Sequence, residues 1–341
     1  MKNIKKILKA DFKKFPIKNF LSKNDIIMLY NEYNLGNFFF FKRKIKLILT
    51  NLLNRIYKNK IYLNNSRSLK KVKKKYDEIS GSYIRTIEDK NSLFIAELND
   101  GSVVECKGNI HQYYADVVSK IIYQTKSKSF LEVGAGELTF FKMISDLLKN
   151  FFFKVNETGV LDISFKRLIT GKNYLKKNKN KTNYIVQGNA AQLPFGDNSF
   201  DLIYTCHCLE QVPELFKESV NEMLRVAKNY VVLIEPSYEL SNKITSNYIY
   251  YKGYIQINEK LLSTVKQKYF KRIRLPFRQY LNGTELIIYK IKNKKNKKSK
   301  VEFICPITKK TIVKKNNSIG NESVQYKIQN QIYKLVDQKN I

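Results

Sequence analysis

From Ser129 onward the chain alternates short apolar runs with longer stretches of helical periodicity. Apolar runs near 129–133, 158–162, 183–187, 200–205 and 229–234 read as strands, and 138–149, 164–177, 213–227 and 258–267 read as helices. Strands that are apolar throughout and separated by helices are the pattern of a parallel sheet covered on both faces. Two further strand-like stretches, 269–275 and 284–292, close this block. The expected class is α/β, doubly wound.

The flanks read differently. Residues 69–128 look mainly helical and lead into the block. Upstream, residues 1–68 form a basic helical extension. In it Phe38, Phe41, Ile45, Ile48, Leu52 and Ile56 recur at helical spacing, opposite Arg43, Lys46, Thr50, Asn54 and Lys58. Such a helix either packs its apolar stripe on the main domain or lies in an anionic membrane surface through residues 38–58. Downstream, a Lys/Asn linker (293–300) precedes a small tail (301–341) with strand-like alternation from Tyr326 to Leu335. The expected division is 1–68, 69–292, 293–300 and 301–341.

Composition changes this picture less than it first suggests. The formal charge is +34 over 341 residues, a field that would favour nucleic acid or anionic lipid. Yet only nine of the 63 basic residues are arginine, and Lys, Asn, Ile, Tyr and Phe, all with A/T-rich codons, are abundant. Nucleic-acid sites favour the bidentate arginine fork, so a nucleic-acid partner is possible but not favoured. The four cysteines, Cys106, Cys206, Cys208 and Cys305, include no C-x-x-C pair, which excludes an ordinary zinc site and fits a reducing compartment. No apolar run has the length of a membrane span. Asp11, Lys13 and Lys14 break up the start, so it does not read as a signal peptide. The expected location is cytoplasmic, at the inner face of the membrane if the 38–58 helix binds there.

The chemistry begins at Ser129-Phe130-Leu131-Glu132-Val133-Gly134-Ala135-Gly136-Glu137, an apolar strand running into a tight glycine turn and a helix. Glycines allow backbone to approach a ligand with no Cβ in the way. Glu132 precedes the turn, and Leu138 and Thr139 stand where a dinucleotide fingerprint carries its third glycine. A carboxylate there opposes a pyrophosphate and suits a ligand bearing an ammonium group. Val160-Leu161-Asp162 ends the next strand, where an acid can accept from both hydroxyls of a ribose.

Residues Gly188-Asn189-Ala190-Ala191-Gln192-Leu193-Pro194-Phe195, followed by a turn and Ser199-Phe200-Asp201, resemble the class I S-adenosylmethionine-dependent methyltransferase family of the ubiquinone-biosynthesis type. Cys206-His207-Cys208-Leu209-Glu210-Gln211-Val212 resembles that family's His-x-Leu-Glu-His-Val segment. Glu222–Val226, Leu233–Pro236 and Gly283–Tyr289 are similar to the elements beyond it, and the resemblance spans roughly residues 70–292. It implies a Rossmann-like, mostly parallel seven-stranded sheet and S-adenosylmethionine as cofactor. It puts Glu132, Gly134, Ala135 and Gly136 at the amino-acid end of that cofactor, Asp162 at the ribose and Ile163 beside the adenine. Asn189, where the family usually has Asp, and Ala190 would meet the adenine edge, and Cys206 would line the floor. Tyr76-Asp77 and Tyr83 resemble the family's Tyr-Asp lead-in, which otherwise reads as a plain helix face.

Methyl transfer needs a general base only for a hydroxyl or protonated-amine acceptor. His207, just after the fourth strand, is the candidate catalytic residue; His111 is a weaker one. Tyr238, Tyr250 and Tyr251, after the fifth strand, are candidate substrate contacts. The expected acceptor is a small molecule or a glycoconjugate or lipid-linked molecule. The alternatives are RNA, through the basic surface, and a binding module that keeps the fold without catalysis. The tail's Cys305-Pro306-Ile307-Thr308 faintly resembles a zinc-ribbon module, but Thr308 stands at the second ligand position, so no metal is expected.

Overall fold

The computed structural model describes residues 68–88, 92–97, 103–241, 243–279, 282–291 and 301–336. The basic extension, its 38–58 helix and the 293–300 linker lie outside the described residues.

The chain opens with α1 (Leu69–Glu78) and α2 (Ser82–Glu88), then β1 (Leu93–Glu97), β2 (Val103–Lys107) and α3 (Ile110–Gln124). The mainly helical reading of 69–128 therefore needs correction. Leu93–Glu97 and Val103–Lys107 pair as an antiparallel hairpin, joined by β9 (Phe277–Arg278) in a small three-stranded sheet. They are short apolar or mixed runs of five residues without strand alternation, too short to stand out beside the helices around them.

The main sheet is built from β3 (Ser129–Val133), β4 (Glu157–Asp162), β5 (Tyr184–Gln187), β6 (Phe200–Cys206) and β7 (Ala227–Pro236), with β8 (Lys271–Arg274) and β10 (Thr284–Lys290). Its order is β5-β4-β3-β6-β7-β10-β8. The first five strands are parallel, and β10 is antiparallel to both β7 and β8. Between them run α4 (Thr139–Asn150), α5 (Phe165–Lys177) and α6 (Phe216–Val226); α7 (Lys243–Tyr251) and α8 (Glu259–Leu262) follow β7. Two buried clusters sandwich the sheet. Phe130, Val160, Leu202 and Tyr204 pack with α3, α4 and α5 on one face. Leu131, Leu161, Ile203 and Leu233 pack with α6 on the other. One-residue alternation of the central strands thus feeds two cores, which is why these strands read as apolar throughout.

The tail does not stand apart. Strands β11 (Val313–Lys315), β12 (Ser318–Asn321), β13 (Val324–Gln329) and β14 (Ile332–Lys334) form an antiparallel meander. Its last strand pairs in parallel with β5 through Tyr333↔Val186 and Lys334↔Gln187, making one eleven-stranded sheet. Phe303 stacks on Tyr333 at 4.7 Å and leans on Phe195 at 5.3 Å. The tail therefore covers an edge that would otherwise present unpaired backbone groups. Cys305 Sγ accepts the Thr308 amide hydrogen at 3.3 Å and lies 3.2 Å from the Tyr326 hydroxyl. No group of three or more metal-ligating side chains occurs among the described residues.

Candidate functional site

At the carboxyl ends of the parallel strands lies a cavity of about 260 Å³. One wall is the turn after β3. Gly134 sits at φ +82°, and a side chain there would run into Cys208. The amides of Gly134 and Ala135 both donate to Leu161 O, at 2.8 and 3.0 Å, which binds the turn to β4. Asp162, at the end of β4, accepts from the Gly136 amide through Oδ2 and from the Ser164 amide through Oδ1, both at 2.8 Å. Each carboxylate oxygen keeps a lone pair, and its direction is set by two backbone donors. Ile163, Gly188, Asn189 and Ala190 continue this wall. Asn189 Oδ1 accepts the Ala191 amide at 3.0 Å, an Asx turn that holds the side chain in place.

The opposite wall comes from the loop after β6. His207 has φ +51°, a conformation that costs a non-glycine residue about 1 kcal/mol or more. Its Nδ1 lies 2.9 Å from Glu210 Oε2, and its Nε2 lies 3.2 Å from Thr284 Oγ1. Gln211 Nε2 and Asn282 Nδ2 also donate to Glu210, at 2.8 and 3.2 Å. Behind the loop, the fully buried Glu235 accepts from the Cys208, Leu209 and Glu210 amides and the Thr205 hydroxyl. Burial pushes the Glu235 carboxyl up to about 7. Burial alone would lower the His207 imidazole, but the Glu210 and Glu235 carboxylates together outweigh it, and the net shift is upward. His111, also lining the cavity, is pushed down to about 4 by burial and by His207.

The roof is the lead-in. Tyr76 and Tyr83 line the cavity. Asp77 Oδ1 accepts from Ser164 Oγ at 2.6 Å, and Ser164 caps the start of α5. Glu137 accepts the Gly81 amide at 2.8 Å and the Ile84 amide at 3.0 Å. The Tyr-Asp segment is therefore docked over the glycine turn, and Asp77 and Glu137 both fasten it.

Of the expected site residues, Gly134, Asp162, Ile163, Asn189, Ala190, Cys206 and His207 line this cavity. Glu132, Ala135 and Gly136 do not. Glu132 faces the α3–α4 side of the sheet, where Oε2 accepts from the Tyr204 hydroxyl at 3.2 Å and burial pushes its carboxyl up to about 8. Gly136 is covered by the Arg167 side chain. Nor do Tyr238 and Tyr250 reach the cavity; from the segment after β7 it is Tyr248 and Tyr254 that line it. The side chain of Tyr251 lies outside the described residues. The sequence reading also missed Arg167, Gln279 and Asn282. Arg167 carried one signal, a cation in the first turn of a helix, where the dipole disfavours it. The other two carried none, since they arrive from a loop far along the chain.

A glycine turn under strand ends, an acid oriented by two backbone amides and a cavity beside them are the arrangement of a nucleotide-binding Rossmann-like fold. The model of the ubiE/COQ5 methyltransferase family matches residues 101–273, just over half of the chain. The chain belongs to that family, and it is an S-adenosylmethionine-dependent methyltransferase. A demethylmenaquinone methyltransferase of Bacillus pumilus is 28% identical over 162 residues, 47% of this chain and 67% of that protein. The one from Listeria monocytogenes serovar 1/2a is 28% identical over 158 residues, 46% of this chain and 58% of that protein. The match thus spans about three fifths to two thirds of these relatives. Among solved structures, a magnesium protoporphyrin IX methyltransferase from Synechocystis with bound S-adenosylhomocysteine is 14% identical, with a TM-score of 0.41 over 53% of this chain and 83% of that one. Among the described residues no helix is long and apolar enough to cross a membrane.

Proposed function

We propose that the chain methylates a small lipophilic aromatic alcohol of the quinol type, with the His207–Glu210 pair taking the hydroxyl proton. The observation that carries this reading is the joining, in one cavity, of the Gly134–Asp162–Asn189 wall with that buried pair. S-adenosylmethionine, when bound, supplies a methyl group on a sulfonium that leaves as a neutral thioether. The residues present suit it. Gly134, without a Cβ, lets the turn close against Cys208 along the cavity, Asp162 offers two oriented acceptors, and Asn189 carries an amide for the adenine edge.

The acceptor end favours a ring with an acidic hydroxyl. Leu69, Val72, Ile79 and Val212 give it apolar walls, and Tyr248 and Tyr254 offer flat faces. Glu210 holds His207 through Nδ1, which makes Nε2 the basic atom. Its contact to Thr284 is long at 3.2 Å, and an acceptor hydroxyl can replace it. The demethylmenaquinone methyltransferases at 28% identity favour the same acceptor class. The earlier RNA reading rests on charge alone and gains nothing from the cavity.

Incubation with methyl-tritiated S-adenosylmethionine and a reduced short-chain demethylnaphthoquinone, in parallel with glycolipid and RNA, tests this. Label should enter the quinol and fall by about 100-fold or more in Glu210→Gln. Label in glycolipid or RNA alone would overturn the acceptor assignment.

A further inference from the structure

Arg167 stands in the first turn of α5, only 7% exposed, and lines the cavity beside the glycine turn. A cation at this end of a helix faces the positive pole of the dipole, and burial removes the water that would offset it. Its guanidinium is stacked against the rings of Tyr76, at 4.9 Å, and Tyr83, at 4.3 Å. Those faces supply attraction but accept no strong hydrogen bond. Glu137 is the carboxylate paired with it, at 3.7 Å from Nε, beyond hydrogen-bond reach. Both Glu137 oxygens already accept backbone amides, as do both Asp162 oxygens. The buried Nε has no hydrogen-bond partner. A buried guanidinium left in this state is costly, and a carboxylate placed in the fork removes the cost.

Resting on the cofactor reading above, we infer that Arg167 is the binding residue for the α-carboxylate of the cofactor's amino-acid end, with Tyr76 and Tyr83 holding its plane. The position decides between carboxylate sources. Arg167 lies against Gly136 and on the element that follows Asp162, on the cofactor wall, whereas an acceptor would meet the His207–Glu210 wall. Because the lead-in tyrosines sandwich the guanidinium, the same contact ties cofactor binding to docking of α1 and α2.

Calorimetric titration with two ligands isolates this contact: S-adenosylhomocysteine, which has the amino-acid end, and 5′-methylthioadenosine, which lacks it. Wild type should bind the first more tightly. In Arg167→Met the affinity for S-adenosylhomocysteine should fall by roughly 10- to 100-fold, while that for 5′-methylthioadenosine stays within about threefold. Equal losses for both ligands, or no loss for either, would overturn the assignment. Arg167→Lys, which keeps the charge without the fork, should show a smaller selective loss, and it carries the test if the methionine variant does not fold. If wild type binds neither ligand, the cofactor reading itself fails and takes this inference with it.

Discussion

Asp162 Oδ2 accepts the Gly136 amide hydrogen at 2.8 Å, so the acid that ends β4 and the turn that ends β3 form one unit. The turn cannot shift without redirecting the carboxylate. The proposed cofactor wall therefore depends on backbone shape as much as on any side chain.

Gly134→Ala tests the shape. At φ +82° and hard against Cys208, alanine should cost about 1–3 kcal/mol of stability and abolish measurable cofactor affinity. Thermal melts alongside titration check both parts; an unchanged melt with wild-type affinity would contradict the crowding argument.

Asp77→Ala should release the lead-in from the start of α5. The Asp77–Ser164 contact at 2.6 Å is partly buried, and its loss should cost about 1 kcal/mol. Hydrogen exchange of the α1 amides should quicken while the amides of β3 and β4 stay protected.

Glu132 sets a pH signature. Burial raises its carboxyl from the ordinary range to about 8, so the folded state holds the proton more tightly than the unfolded chain. That contribution is fully present below about pH 4.5 and is lost as pH rises through about 8. Glu132→Gln keeps an acceptor for the Tyr204 hydroxyl and should flatten this decline. Urea denaturation at pH 5 and 8 should show a larger stability drop in wild type than in the variant.

His207 is raised rather than lowered, because the neighbouring Glu210, with Glu235 behind it, outweighs burial. Its pairing with Glu210 stabilises the fold fully below the ordinary imidazole range and fades as pH rises through the raised value. As a base it must be neutral, so kcat should climb over that same upper range. Glu210→Gln removes the raising charge and should move the ascending limb to lower pH while reducing kcat. A limb that stays in place would mean another group is titrating.

Much of this was legible in the sequence. The five parallel strands show because their buried faces leave no polar alternation to confuse them, and the 129–137 and 188–201 segments fix the ligand wall. Less legible were features created by distant contacts. Glu132 looks like a ligand acid, yet the pleat turns it to the opposite face, towards Tyr204. The tail reads as a separate module because its parallel pairing with β5 depends on residues some 150 positions apart. Asn282 joins Glu210 across 72 residues with no local pattern to announce it.

The most direct measurement is calorimetric titration of wild type and Asp162→Ala with S-adenosylhomocysteine. Wild type should bind with micromolar affinity and the variant about 10- to 100-fold more weakly, its fold persisting by circular dichroism. Equal affinity in a folded Asp162→Ala, or no binding by wild type, would contradict the cofactor-site assignment.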